Sequence, residues 1–178
     1  MKVLVVVDMQ HDFVDGVLGT DEAKAIVPNV AAKVAEYANM EDSVIIYTRD
    51  THFDNYMDTM EGKHLPVPHC IANTIGWQIV GDVYQCDSDV IDKYTFGYYS
   101  LPDEIWEACA MKYNRFDVES IEFCGVCTSI CVISNALIVK SVFKETPLII
   151  DSKCCACVSK ETHEAALTVM KMCQIEVK

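Results

Sequence analysis

The alternation of short apolar segments with helical patterns is the feature that most constrains the fold. The apolar segments are nearly continuous, which is typical of strands buried on both faces of a parallel sheet. Strands are predicted at Lys2–Val7, Ser43–Thr48, Val90–Ile91 with their neighbours, Val118–Phe123, Pro147–Ile150 and Ile175–Val177. Helices are predicted between them at Pro28–Ala38, Pro102–Tyr113, Thr128–Phe143 and Ser159–Cys173. We therefore expect one domain over residues 1–178, with a three-layer, Rossmann-like α/β fold: a mostly parallel six-stranded sheet with helices on both faces.

The composition is that of a globular protein. Of the 178 residues, 51% are hydrophobic and 23% are charged, so a sizeable core can form. The formal net charge of −13 disfavours nucleic acid and anionic membrane surfaces as partners, because both are bound through Lys and Arg. A small neutral or cationic ligand, or a metal ion, suits this charge better, although the charge also simply favours solubility. Every apolar run falls well short of the about 20 residues that a membrane-spanning helix requires.

The ten cysteines are interpreted as reduced thiols. The apolar run at the N-terminus is too short for a signal peptide and lacks a cleavage site. Most cysteines lie within apolar segments, where free Cys behaves as a small hydrophobic residue. We therefore expect a reduced, cytoplasmic protein. Cys124-Gly-Val-Cys127 has the spacing of a redox motif, but its first Cys ends a predicted strand instead of beginning a helix, which argues against that function.

Residues 49–87 form a long segment that is rich in Pro, His, Asp and Gly, and loops of this length are usually functional. Asp50 and His52 are two residues apart, so their side chains point the same way in an extended chain. Glu61 and His69 follow. Two carboxylates and two imidazoles suit Zn²⁺, Fe²⁺ or Mn²⁺ better than Ca²⁺, and a solvated polar loop is the alternative. The other candidate ligands by composition are His64 and Asp54.

Reactive side chains follow the predicted strands at their carboxyl ends, where open α/β sheets bind ligands. Asp8 follows the first strand, Lys93 follows the third, and a cysteine-rich turn follows the fourth. In that turn Cys131 falls in the first turn of the next helix, which Thr128 or Ser129 can cap. The helix dipole there favours a thiolate and lowers the thiol pKa, which makes Cys131 the best nucleophile in the turn. The alternative is that Cys131 is a core residue.

Three motifs occur in order along the chain. They are Val7-Asp8-Met-Gln-His-Asp-Phe13, then Asp50-Thr-His52 with the later Glu61 and His69, then Gly125-Val-Cys-Thr-Ser-Ile-Cys131-Val132. With Lys93 between the second and third, they resemble the isochorismatase-like cysteine hydrolases. The metal-type set points, within that superfamily, to the nicotinamidases, because many relatives lack it.

The resemblance implies a catalytic triad of Asp8, Lys93 and Cys131. It also implies a cis peptide between Val126 and Cys127. The backbone N–H groups of Cys127 and Cys131 would then form an oxyanion hole.

The resemblance further implies one divalent metal ion, zinc before iron or manganese, held by Asp50, His52, Glu61 and His69. The expected reaction is hydrolysis of nicotinamide through a cysteine thioester, as part of NAD salvage, with the metal orienting the pyridine ring. Phe13, from the first motif, and Phe96 would line the pocket for that ring.

The chain departs from the family pattern at two places. Ser129 stands where the family has Asp in its T-D-x-C sequence, and Leu65-Pro66-Val67 stands where a ring-stacking aromatic residue is often found. The second departure keeps another small amide open as the substrate.

Two alternatives of other classes also remain. One is a dithiol redox or thiol–metal protein that uses Cys124, Cys127 and the cluster Cys154-Cys-Ala-Cys157. The other is a small-ligand binder without turnover. A homo-oligomer is compatible with the sequence.

Overall fold

The architecture is given by a computed structural model that describes residues 1–86, 88–114 and 116–178. In chain order its elements are β1 (Lys2–Val7), α1 (His11–Val14), α2 (Asp21–Ala38), β2 (Ser43–Asp50), a 3₁₀ turn (Tyr56–Asp58), α3 (Met60–His64), β3 (Asp89–Lys93), α4 (Leu101–Tyr113), β4 (Ser120–Val126), a π-helical turn (Thr128–Val132), α5 (Ile133–Val142), β5 (Leu148–Ala156), α6 (Lys160–Met172) and β6 (Glu176–Val177).

The six strands form one sheet in the order β3-β2-β1-β4-β5-β6, and each neighbouring pair is parallel. Helix α2 packs across β1, β2, β4 and β5 on one face. Helix α5 contacts both α4 and α6. With the right-handed crossovers that parallel sheets almost always have, this strand order puts these three helices on the other face. The predicted three-layer α/β fold is therefore confirmed.

The order of the strands reverses between β1 and β4. The chain proceeds from β1 to β2 and β3 on one side of the sheet, and from β4 to β5 and β6 on the other. The connections that follow β1 and β4 therefore diverge and open a crevice at the carboxyl end of the sheet. Asp8 directly follows β1 and Cys127 directly follows β4, so both border this crevice.

The start of the first long helix was predicted incorrectly. Helix α2 begins at Asp21, and Pro28 lies inside it rather than at its start. The hydroxyl oxygen of Thr20 accepts a hydrogen bond of 3.0 Å from the Ala23 N–H, which caps the helix. Acidic Asp21 and Glu22 in the first turn add favourable interactions with the helix dipole. These start signals outweigh the proline.

The fifth strand is longer than predicted, because it continues through Asp151 to Ala156. The Asp151 carboxylate lies 2.9 Å from the Lys33 Nζ, which compensates its charge within the strand. After an irregularity, β5 pairs with β4 again at Gly125 with Cys155. Most of the cysteine cluster at 154–157 therefore belongs to a strand beside the cysteine-rich turn.

The loop segment predicted at 49–87 holds more regular structure than expected. Its first two residues end β2, and it contains the 3₁₀ turn and α3. A parallel bridge joins His52 to Ile71, and an antiparallel bridge joins Gln10 to Ile79. Asp87, the predicted end of the segment, lies outside the described residues. Among the residues that are described, none of the helices has the length and apolar character needed to span a membrane.

At Gly125, β4 lies too close to β1 to accommodate a side chain. The Gly125 φ of +114° lies in the region that favours glycine, and a Cβ atom at this position would overlap the carbonyl oxygen of Val7. The absence of a side chain at Gly125 therefore allows the strand to end beside β1, directly before the cysteine-rich turn.

We expect Gly125→Ala to lower the free energy of unfolding by about 2 kcal/mol or more, because backbone strain of this kind costs about 1–3 kcal/mol and the strands must also separate. Urea denaturation followed by circular dichroism measures the change. Gly81→Ala is the matched control, since a Cβ atom there meets nothing within 4 Å. Equal stabilities of the two variants would contradict the packing role of Gly125.

Candidate active site

The three residues of the predicted triad meet in the crevice. The Lys93 Nζ, at the end of β3, lies 2.7 Å from Asp8 Oδ2 and 3.6 Å from Cys131 Sγ. Asp8 and Lys93 are fully buried, and Cys131 retains an exposed fraction of only 5%. A carboxylate, an ammonium and a thiol thus share one site that is largely shielded from water.

Asp8 is held as a proton acceptor by its surroundings. Burial raises the pKa of Asp8 above its usual value, and the Lys93 ammonium opposes that rise. The Thr48 hydroxyl donates a hydrogen bond of 2.7 Å to Oδ1, which fixes the orientation of the carboxylate. The backbone of Asp8 has a φ of +50°, an uncommon conformation that turns the chain away at the end of β1.

The predicted lowering of the Cys131 pKa is wrong. Burial raises the pKa of Cys131, and the facing Asp8 carboxylate raises it further, whereas Lys93 lowers it. Neither predicted cap is used: the Thr128 hydroxyl donates to the carbonyl of Ala156 at 3.0 Å, and that of Ser129 lies 2.9 Å from Cys157 Sγ. The thiol proton is therefore retained and directed at Asp8.

Lys93 connects the triad to a second cluster. Its Nζ also lies 3.2 Å from Asp50 Oδ1. Burial lowers the pKa of Lys93, but the negative charge of Asp8 and the neighbouring Cys131 and Asp50 raise it more, so the net pKa is above the usual value. The side chain therefore remains an ammonium although it is fully buried.

The four predicted metal ligands converge on one point. One donor atom each from Asp50, His52, Glu61 and His69 can be chosen so that all lie within 4.8 Å of one another. The His52 Nε2 is 3.1 Å from Asp50 Oδ2 and 3.6 Å from Glu61 Oε1. The His69 Nε2 is 3.7 Å from both carboxylates. Bonds of about 2.0–2.2 Å from a tetrahedral ion to such ligands fit these separations.

The chemistry of this donor set fits a divalent cation. The His69 Nδ1 lies 2.8 Å from the carbonyl oxygen of Val67 and donates to it, which leaves Nε2, the atom that faces the cluster, available to a metal ion. Burial raises the pKa of Glu61, and the charge of Asp50 adds to the rise. A cation at the centre would relieve this repulsion between carboxylates. The residues present therefore fit a metal ion.

Three polar residues that support the site were not singled out from the sequence. The Gln10 amide donates to the carbonyl of Asp50 at 2.8 Å and accepts from the Asp50 N–H at 2.7 Å. The Asp12 carboxylate accepts a hydrogen bond of 2.7 Å from the Cys70 N–H, next to the last metal-type histidine. The Asn135 amide donates to the carbonyl of Cys131 at 2.8 Å. The sequence signal that could have identified these residues is a polar side chain within an apolar stretch, and it is clearest for Asn135, which lies in an apolar helix.

Cys131 of the triad and three members of the metal-type cluster, Asp50, Glu61 and His69, line one apolar cavity of about 730 Å³. Phe13 lies in its wall, with its ring centroid 5.4 Å from that of His69, whereas Phe96 is half exposed at the rim. The Trp77 ring packs against Arg49, whose guanidinium carbon lies 3.5 Å from the ring centroid. Of the other candidate ligands, His64 is exposed with its ring bonded to a backbone carbonyl, and Asp54 is exposed.

The backbone around the cysteine-rich turn agrees with the resemblance at one point. The peptide bond between Val126 and Cys127 is cis, as was implied. Cys127 directly precedes the π-helical turn that carries Cys131. The oxyanion-hole role of these two backbone N–H groups stays a prediction.

The comparisons with known proteins agree with this site. The family model described as "Isochorismatase domain" matches residues 2–177. The nicotinamidase of Saccharomyces cerevisiae is 25% identical over 85% of this chain and 87% of its own length. A nicotinamidase/pyrazinamidase of Mycobacterium tuberculosis is 24% identical over 99% of this chain and 98% of its own length. A solved structure of the pyrazinamidase of Pyrococcus horikoshii in complex with zinc has a TM-score of 0.79 and 25% identity, and covers 99% of this chain and 98% of that one.

The match over nearly the whole chain identifies the class of protein. The chain belongs to the isochorismatase family. Relatives that resemble it over most of their length include nicotinamidases and pyrazinamidases.

We expect His52→Ala to reduce the bound divalent metal from about one ion per chain to less than about one tenth, because loss of one of four ligands removes both a bond and the cluster geometry. Elemental analysis after dialysis measures the metal content. His64→Ala is the matched control, since His64 lies in the same segment but outside the cluster. Equal metal content in both variants would show that this cluster is not the metal site.

Proposed function

We propose that the protein is a nicotinamidase, which hydrolyses nicotinamide to nicotinate and ammonia. The observation that carries this proposal is the buried contact of Lys93 with both Asp8 and Cys131. Lys93 also contacts Asp50 of the four-residue metal-type cluster, and Cys131 lines the same cavity as three members of that cluster. The coarser prediction, that the chain is an enzyme that hydrolyses an amide C–N bond, is confirmed by its family and its curated relatives.

The first step in the proposed mechanism is the transfer of the thiol proton of Cys131 to Asp8. The raised pKa of Asp8 matches this task, since a carboxylate with an ordinary pKa would be a poor base for a thiol. Because the thiol pKa is raised as well, the proton moves as the sulfur attacks the carboxamide carbon. The Lys93 ammonium stabilises the negative charge while it passes from carboxylate to sulfur.

The attack places negative charge on the amide oxygen. We propose that the backbone N–H groups of Cys127 and Cys131 bind this oxyanion, where one such donor typically contributes about 3 kcal/mol to lowering the barrier. Asp8 then returns the proton to the nitrogen, the C–N bond breaks, and ammonia leaves. Water, deprotonated by Asp8, hydrolyses the thioester and releases nicotinate with a free thiol.

The pyridine ring is held next to the triad. A metal ion bound by Asp50, His52, Glu61 and His69 would orient the ring through the pyridine nitrogen. Zinc is the first expectation, with iron and manganese as alternatives. Phe13 covers one side of the ring, and Phe96 at the rim is free to close over it. A small amide is thus the proposed partner, and NAD salvage in the cytoplasm is the proposed role.

A second candidate is hydrolysis of a bulkier apolar amide by the same residues. The observation that favours it is the cavity of about 730 Å³, which is in the range that encloses drug-sized ligands and is far larger than a single pyridine ring. Leu65 contributes to its wall, where an aromatic residue would have filled space. Comparing nicotinamide with larger aryl and alkyl amides at equal concentrations distinguishes the two candidates.

We expect Cys131→Ala to reduce ammonia release from nicotinamide at least about 10³-fold, because removal of a nucleophile abolishes the covalent route. A coupled ammonia assay on the metal-loaded protein measures the rate. Cys124→Ala is the control: this thiol is fully buried in the core, away from the cavity, and its loss should preserve most activity. If Cys124→Ala were as inactive as Cys131→Ala while still folded, the assignment of the nucleophile would be wrong.

We also expect removal of the metal by a chelator to raise the KM for nicotinamide at least about tenfold, as loss of one orienting contact implies. Benzamide, which has the same ring shape without the nitrogen, should be much less affected. Steady-state kinetics with both amides, before and after metal is restored, measures this difference. An unchanged KM for nicotinamide in metal-free, folded protein would refute the orienting role.

A further inference from the structure

Cys127 and Cys157 directly follow the neighbouring strands β4 and β5, and their side chains contact each other. The paired register ends with Gly125 beside Cys155 and Val126 beside Ala156, so the next residue on each chain is a cysteine. Neighbouring strands lie about 4.7–4.9 Å apart. A disulfide needs a Cα separation of about 4.4–6.8 Å. The backbone thus brings these two cysteines within the range that a disulfide requires.

The sulfur of Cys157 is surrounded by hydrogen-bond donors. The Ser129 hydroxyl lies 2.9 Å away and the Thr162 hydroxyl 3.3 Å away. The thiol of Cys127 and the backbone N–H of Ser129 donate to the same sulfur. Groups that can donate a hydrogen bond thus lie on several sides of this sulfur, and such donors stabilise a thiolate.

The two thiols therefore differ in acidity. The hydrogen bond from Cys127 lowers the pKa of Cys157 to about 4, with Ser129 and Thr162 adding to the effect and burial opposing it. The same hydrogen bond and burial raise the pKa of Cys127. Cys131 remains a thiol in the resting site, so Cys157 is the more nucleophilic sulfur toward small oxidants.

Small molecules can reach this pair. Cys127 and Cys157 both line the cavity of about 730 Å³ that also holds Cys131. Cys124, the other cysteine of the redox-type spacing, is not part of this pair, because it is fully buried in the core and burial raises its pKa. The two thiols that line the cavity together are therefore Cys127, directly after β4, and Cys157, directly after β5.

We propose that Cys127 and Cys157 are a reversible dithiol–disulfide site in the wall of the substrate cavity, with hydrogen peroxide as the oxidant. The Cys157 thiolate attacks one peroxide oxygen, the O–O bond breaks, and the products are a sulfenic acid and hydroxide, which takes up a proton to become water. The Cys127 thiol then displaces the sulfenic hydroxyl, which leaves as a second water, and the S–S bond forms. A small dithiol reverses the reaction by exchange and is itself oxidised to a disulfide.

Oxidation also affects amide hydrolysis, an effect that rests on the proposed function. The disulfide ties Cys127, whose backbone N–H is a proposed oxyanion donor, to the opposite strand and removes the thiolate beside Ser129. We therefore expect the oxidised protein to be less active and a dithiol to restore the activity. The covalent linkage itself is measured without any amide substrate, so failure of the two proposals can be distinguished.

The test is to treat the metal-loaded protein with a small excess of peroxide, block the remaining thiols and map the peptides by mass spectrometry. Trypsin separates the peptide 116–140, which holds Cys127, from the peptide 154–160, which holds Cys157. The expected result is a cross-link whose fragments locate it to these two residues. It should persist in Cys131→Ala and disappear in Cys157→Ser. A cross-link through Cys124 or Cys131, or oxidation scattered over exposed Cys86 and Cys173 without a cross-link, would overturn the proposal.

A second variant keeps the test decisive if Cys157→Ser does not fold. Ser129→Ala removes the hydroxyl donor and leaves both cysteines in place, so cross-linking at pH 6 should slow by about tenfold. Ser141→Ala is the matched control, since Ser141 is an exposed helical serine bonded to its own helix. Equal cross-linking rates for the two variants would show that the donors around Cys157 do not activate it.

Discussion

The site depends on one buried charge, the ammonium of Lys93. Its Nζ lies 2.7 Å from Asp8, 3.2 Å from Asp50 and 3.6 Å from Cys131, so it connects the proposed catalytic residues to the metal-type cluster. An unpaired ammonium in such a place would lose its hydration without compensation. The buried carboxylates of Asp8 and Asp50 would likewise be unstable without a neighbouring positive charge. Each group therefore makes the burial of the others possible, and the site assembles as a unit.

The sheet topology explains why these groups meet. Asp8, Asp50 and Lys93 lie at the carboxyl ends of three adjacent parallel strands, and Cys131 follows the fourth across the point where the strand order reverses. Gly125 lets that fourth strand end close against β1. Positions at strand ends are held by the packed sheet beneath them, so short side chains can reach one another with little conformational freedom.

The sequence allowed the fold class to be predicted, because apolar strands and the polar residues that end them are local signals. The candidate site residues came from the resemblance of three motifs to a family, and the structure brings these residues together. The acidity of Cys131 was predicted wrongly, since it depends on burial and on Asp8, which is distant in sequence. The support from Gln10 and Asn135 was missed for a related reason: a buried amide reveals its partners only after the chain has folded. The start of α2 was misjudged because the signal at Thr20 outweighed that at Pro28.

The irregular pairing between β4 and β5 determines which cysteines face the cavity. From Phe123 to Gly125 the chain of β4 advances two residues, while its partner advances five, from Ile150 to Cys155. Side chains alternate between the two faces of a strand. Because β5 has three more residues than β4 here, an odd number, the side chains of β5 beyond this point are on the opposite face from the one that a regular strand would give them. Loss or gain of a single residue there would turn Cys157 away from the cavity. The number of residues between Ile150 and Cys155 therefore decides which face Cys157 is on. A substitution in this stretch keeps that number and leaves the face unchanged.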